Sequence, residues 1–166
     1  MPAVHKSTLA YKSIVGLDVG NKRIGVALAS LSARLPQPLS TLPWDDNFFS
    51  KLEGVIEKEA VGALVVGLPR GLQGQHTAQT QAVESFVEEL RQRISLPIHM
   101  QDEALTSQHA EAELQARGKV YDRAAIDALA ATYILGDFLT EHPVLDASGN
   151  PEQQKHDDHE DTEARI

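Results

Sequence analysis

The sequence predicts an α/β protein whose sheet has parallel strands at its centre, and three observations lead there. Two short apolar stretches near the start are joined by a tight turn. Helix-length and strand-length patterns then alternate, and one later strand, ALVVGL at 63–68, contains no polar residue. Alternation of this kind builds sheets covered by helices, and a strand without polar positions suits burial on both faces.

The first strand is read at 14–19 (IVGLDV) and the second from Arg23 to Ala29. Gly20-Asn21 between them tolerate the positive φ that a hairpin turn requires. Pro36, Pro38 and Pro43 make 30–45 a loop holding a short edge strand near Pro38–Leu42, because proline cannot donate to a ladder. A helix is predicted from Asp46 or Asn47 to about Ala60, with Phe48, Leu52, Val55 and Ile56 as its apolar stripe. Pro69 and Gly71 end the ALVVGL strand, and GLQGQHT forms a flexible loop. Thr77 or Thr80 caps a helix running to about Arg93, with Val83, Phe86, Val87 and Leu90 inward. Pro97–Gln101 is another short strand, and Thr106 or Ser107 caps a helix ending before Gly118. The last helix runs from about Asp122, its N-cap, to Leu139.

A chain of 166 residues with 42% hydrophobic and 23% charged residues is expected to form one globular domain with a real core. The absence of cysteine rules out disulfides, thiolate nucleophiles and thiolate metal sites. No secretion signal or membrane-length apolar run is read, so the expectation is a cytoplasmic protein without membrane contact. The formal charge of −9 is uneven: eight acids and two bases follow residue 140, against sixteen and thirteen before it. The body is therefore close to neutral, and charge neither requires nor excludes a polynucleotide partner. Residues 1–140 are expected to be the domain, with 1–12 flexible and 141–166 an acidic disordered tail. His156 and His159 in that tail are read as solvated rather than metal-binding.

Three acidic positions stand where apolar side chains belong. Asp18 lies inside the first strand, Asp102-Glu103 end the last strand, and Asp127 shares a helix face with Ala130, Ala131, Ile134, Leu135 and Phe138. An unpartnered carboxylate in a packed strand is costly, so it needs a partner, a cation or a proton. Ligands of α/β sheets collect at the carboxyl ends of parallel strands, where Asp102 and Glu103 fall. Carboxylates converging there would repel one another unless a hard cation, Mg²⁺ or Mn²⁺, neutralised them. Helix-capping and surface roles are the competing readings of each acid taken singly.

GLDVGNKRIGVALAS, VVGLPRGLQG, QDEALTSQHAEAEL and IDALAATYIL, in that order, resemble the YqgF/RuvX family of ribonuclease H-like proteins. Members of this family are described as pre-16S ribosomal RNA nucleases and as Holliday-junction-resolvase-like. The resemblance covers roughly residues 13–140. It implies a mixed five-stranded sheet with the first three strands antiparallel, flanked by helices. It also implies metal-dependent phosphodiester hydrolysis on structured RNA or branched DNA, by a monomer or weak homodimer. Its acidic triad transfers to Asp18, Glu103 and Asp127 as catalytic and metal-binding residues, with Asp102 as the alternative to Glu103. Ala104 stands where the family carries arginine, so a phosphate grip is lost there. Arg70, Lys22 and Arg23 are the remaining phosphate-contact candidates. Two other classes compete: a nucleotide-binding hairpin of the actin/sugar-kinase type, disfavoured by length, and a silent nucleic-acid-binding module, disfavoured by the three intact acids.

Overall fold

The computed structural model describes residues 11–103, 106–118 and 122–152. Its elements are β1 (Ser13–Val19), β2 (Arg23–Ser30), β3 (Gln37–Pro43), α1 (Phe48–Lys58), β4 (Val61–Pro69), α2 (Ala78–Arg93), β5 (Ile98–Glu103), α3 (Thr106–Ala116) and α4 (Arg123–Glu141). The strands form one sheet in the order β3-β2-β1-β4-β5. β2 is antiparallel to β1 and β3, whereas β4 is parallel to both β1 and β5. The expected mixed sheet, with its first three strands antiparallel, is therefore the observed one.

Strand alternation sorts the core into two layers. Val15 and Leu17 of β1, together with Leu64 and Val66 of β4, face α1 and α2 and meet Phe48, Leu52, Phe86 and Leu90. Ile14 of β1, Ala27 and Ala29 of β2, and Ala63 and Val65 of β4 face α4, where Ile134, Leu135 and Phe138 cover them. α3 packs on α4. β4 is buried at its first eight positions because it lies between β1 and β5 with helices on both sides. Its unbroken apolar sequence reflects that placement.

Helix starts follow local chemistry. Thr77 and Thr80 form a reciprocal capping box at α2, and Asp122 accepts from Ala125 N–H at α4. Asn47 occupies the N-cap of α1 without a side-chain capping bond; Asp45 Oδ1 instead accepts from Asn47 N–H at 2.9 Å.

The boundary expected at residue 140 falls too early. α4 continues to Glu141, and the Arg34 guanidinium closes its end by donating to the Leu139 and His142 carbonyls at 2.7 and 2.9 Å. Beyond it, Leu145 bridges to Pro151, Leu145 packs against the α4-side core, and Asn150 Oδ1 lies 2.9 Å from His99 Nε2. Asp146 organises this turn by accepting from Ser148 and Asn150 N–H groups. Residues 142–152 are thus held by their own polar turn, which composition alone had marked as unstructured. The flexible start expected over 1–12 extends too far, because Lys12 N–H donates to the Ala60 carbonyl at 2.8 Å and its carbonyl accepts from Leu31 N–H at 3.0 Å. Residues 1–10, Ala104, and the acidic stretch with His156 and His159 lie outside the described residues.

Candidate active site

Three glycines let α4 lie directly on the sheet. Gly16 on β1, Gly25 on β2 and Gly67 on β4 all face it. A Cβ at Gly25 would sit 1.9 Å from the Asp127 carbonyl oxygen, and one at Gly16 would sit 2.9 Å from that of Ala131. At Gly67 it would meet Ile134 Cδ1 at 2.4 Å and Glu103 Cδ at 3.0 Å. Thr41 Oγ1 adds a 2.6 Å bond from β3 to the Ala124 carbonyl, fixing the first turn of α4. Because Gly25 is the cross-strand partner of Asp18, the same close approach carries Asp127 toward Asp18.

Glu103 arrives from the other side of β1. β4 and β5 run parallel to β1, so the carboxyl ends of all three lie at one edge of the sheet. Glu103 is the last residue of β5, and its carboxyl lies over Gly67 on the α4 face. Asp102, by strand alternation, takes the opposite face: its side chain is 71% exposed and pairs with Arg70 at 3.3 Å. Glu103 and not Asp102 is therefore the acid grouped with Asp18.

The Asp18 carboxyl is pushed up to about 8, first by burial, then by the charge of Glu103, then by that of Asp127. The three acids selected from the sequence thus share one electrostatic environment. Among the described residues, however, no group of three or more His, Asp or Glu side chains is arranged to hold a single ion. At Asp127, Oδ2 is engaged at 2.9 Å by Nε of Arg23. Hard oxygen donors around a carboxyl that resists ionisation fit a divalent cation chemically, with Asp127 requiring release from Arg23 before it could join.

Of the three basic candidates, Arg23 is thus committed to an acid of the site and Arg70 to Asp102 on the far face. Lys22 is exposed at the β1–β2 turn, its carbonyl accepting from Trp44 N–H at 2.9 Å. The glycine stripe was not singled out from the sequence. Its signal was the parity of Gly16 with Asp18, two residues apart on one strand, and the placement of a second glycine opposite Asp18.

The chain thus forms one mixed five-stranded sheet covered by helices, with acids from β1, β5 and α4 drawn to the edge where β1, β4 and β5 end. The chain belongs to the RuvX family: the family model, described as Holliday junction resolvase, matches residues 12–141. It is 37% identical over 146 residues to a Chloroflexus aggregans protein named "Putative pre-16S rRNA nuclease", covering 84% of this chain and 97% of that protein. A protein of the same name from Thermoanaerobacter pseudethanolicus is 38% identical over 131 residues, covering 76% of this chain and 94% of its own. Among solved structures, RuvC of Thermus thermophilus in complex with a Holliday junction substrate matches with a TM-score of 0.45 at 16% identity, covering 78% of this chain and 95% of that one.

Proposed function

We propose that this chain is a divalent-metal-dependent nuclease that hydrolyses phosphodiester bonds in the precursor of 16S ribosomal RNA. The observation that carries the reading is the convergence of Asp18 with Glu103 and Asp127 at the carboxyl ends of the strands, which leaves Asp18 with a carboxyl raised to about 8. A group so raised is poised to exchange its proton for a cation. The relatives' names supply the RNA, and the family description supplies branched DNA as the second substrate to be tested.

In this reading Asp18 and Glu103 are the first ligands for the ion, and Asp127 is a ligand or water-positioning group once freed from Arg23. Mg²⁺ or Mn²⁺, when bound, supplies activation of a water and stabilisation of the leaving oxygen. Asp18 is held within the β1 ladder, and the glycine contacts fix the α4 backbone at Asp127, so only the Asp127 side chain must leave Arg23 before reaction. Arg23, on leaving Asp127, has its guanidinium at the site to meet a phosphate.

The test is cleavage of pre-16S rRNA fragments and of four-way DNA junctions with Mg²⁺ or Mn²⁺. Asp18→Asn, Glu103→Gln and Asp127→Asn are each expected to lower the rate about 100-fold or more, since metal electrostatics contribute several kcal/mol. Asp102→Asn, on the opposite face, is expected to cleave as the wild type does. Equal loss in Asp102→Asn and Glu103→Gln would overturn the assignment.

A further inference from the structure

The carboxyl end of β1 carries a second feature, on the sheet face away from the acids. We propose that an open groove there receives one unpaired nucleobase of the strand whose backbone lies at the acidic site. The ligand class rests on the nuclease reading above. The groove measures about 230 Å³ and is lined by Val19, Asn21, Trp44, Gln79, Phe86 and Glu89, among others. That is below the roughly 300–1,000 Å³ of pockets for drug-sized ligands and suits a single planar heterocycle.

Trp44 makes it a stacking site. Its ring meets Phe48, Phe49 and Phe86 edge-on, at centroid separations of 5.3, 5.8 and 5.4 Å, yet the residue stays 38% exposed. An aromatic ring buttressed by three others and still open to solvent offers a fixed surface to a splayed-out base, at little ordering cost. Its backbone N–H bonds to the Lys22 carbonyl, so the ring is tied to the turn that follows Asp18.

Charge selects the base rather than the phosphate. Glu89, 3.8 Å from the Arg93 guanidinium, is the carboxylate in the groove; it offers acceptors to base N–H groups and no attraction to phosphate. The Gln79 amide can donate and accept, and its present bond to the Val19 carbonyl is a long 3.4 Å. Position links the two sites: Val19 lines the groove, and Asp18 immediately precedes it with its side chain on the other face. A strand crossing the end of β1 would therefore present a phosphate to Asp18 and a neighbouring base to Trp44.

Trp44 is the only tryptophan in the chain, so its fluorescence reports the groove directly. Unlabelled and end-labelled single-stranded decamers of RNA and of DNA, and a blunt duplex, are titrated into the protein in EDTA. Emission and anisotropy are both followed. Saturable quenching by the single strands and little by the duplex is expected. A preference for RNA over DNA would add a 2′-hydroxyl contact to the same base site. Trp44→Ala should weaken single-strand binding about 5- to 150-fold, the range for lost base stacking, while Trp44→Phe keeps most of it. Ala82→Leu fills the groove from exposed helix surface one turn before Phe86, leaving all four aromatic residues in place, and should weaken binding comparably. Oligonucleotide binding with unchanged Trp44 emission, and unchanged in Ala82→Leu, would overturn the groove while metal-dependent cleavage still upheld the nuclease. Absence of both binding and cleavage would overturn the two together.

Discussion

Replacing Asp18 by asparagine should stabilise the metal-free protein, and should do so only as pH rises. The folded-state carboxyl lies at about 8 against an ordinary 3.8. Below pH 4 both folded and unfolded chains hold the proton, so Asp18 and its neutral isostere are equivalent. Between about 4 and 8 the unfolded chain has released the proton and the folded chain retains it. Folding then takes up a proton, and wild-type stability falls with each increment of pH before levelling above 8. At about 1.4 kcal/mol per tenfold change in proton affinity, the full displacement corresponds to about 5–6 kcal/mol. Relaxation and water entry lower the cost of a buried charge, so about 2–4 kcal/mol is the expected gain for Asp18→Asn at pH 8. Urea denaturation followed by circular dichroism, in EDTA, at several pH values from 4 to 9 measures it. Adding Mn²⁺ should close most of that gap, because an ion held by the folded state at 100 times its dissociation constant contributes about 2.7 kcal/mol, and the variant forfeits it. A stability difference independent of pH, or a variant weaker than wild type at pH 8 in EDTA, would refute the reasoning.

Four further outcomes follow from the geometry. Gly25→Ala should destabilise by about 3 kcal/mol or more in thermal unfolding, since its Cβ would stand 1.9 Å from the Asp127 carbonyl oxygen in backbone that cannot yield. Gly54→Ala, in exposed α1 with nothing within 4 Å, should instead stabilise by about 0.5–1 kcal/mol. Arg23→Gln breaks a partly exposed ion pair, so stability should change by no more than about 1 kcal/mol. The same variant should bind Mn²⁺ more tightly in calorimetric titration, because Asp127 is released. Removing residues 153–166 should leave the melting temperature unchanged, whereas removing 143–166 should lower it by stripping Leu145 and Asn150 from the core and from His99.

The elements were legible because their causes are local. Gly20-Asn21 marked the hairpin, Thr77 and Asp122 marked helix starts, and ALVVGL announced a strand buried on both faces. The same locality misread 142–152, where proline, glycine and acids suggested disorder. Asp146 closes a turn there that packs only because β5 and α4 stand beside it. Asp18, Glu103 and Asp127 stood out singly as acids on apolar faces, and the family resemblance joined them.

What the chain order could not supply is distance. Asp18 and Asp127 are far apart along the chain, on its first strand and its last helix. They share a field only because Gly16, Gly25 and Gly67 remove the side chains that would hold α4 off the sheet. Nor could residue type distinguish Glu103 from Asp102; the pleat of β5 did so, turning one toward α4 and the other toward Arg70. Periodicity and capping are encoded over a few residues and survive in the one-dimensional pattern. The approach of a helix to a sheet depends on volumes summed across three strands, and becomes determinate only when those strands are packed side by side.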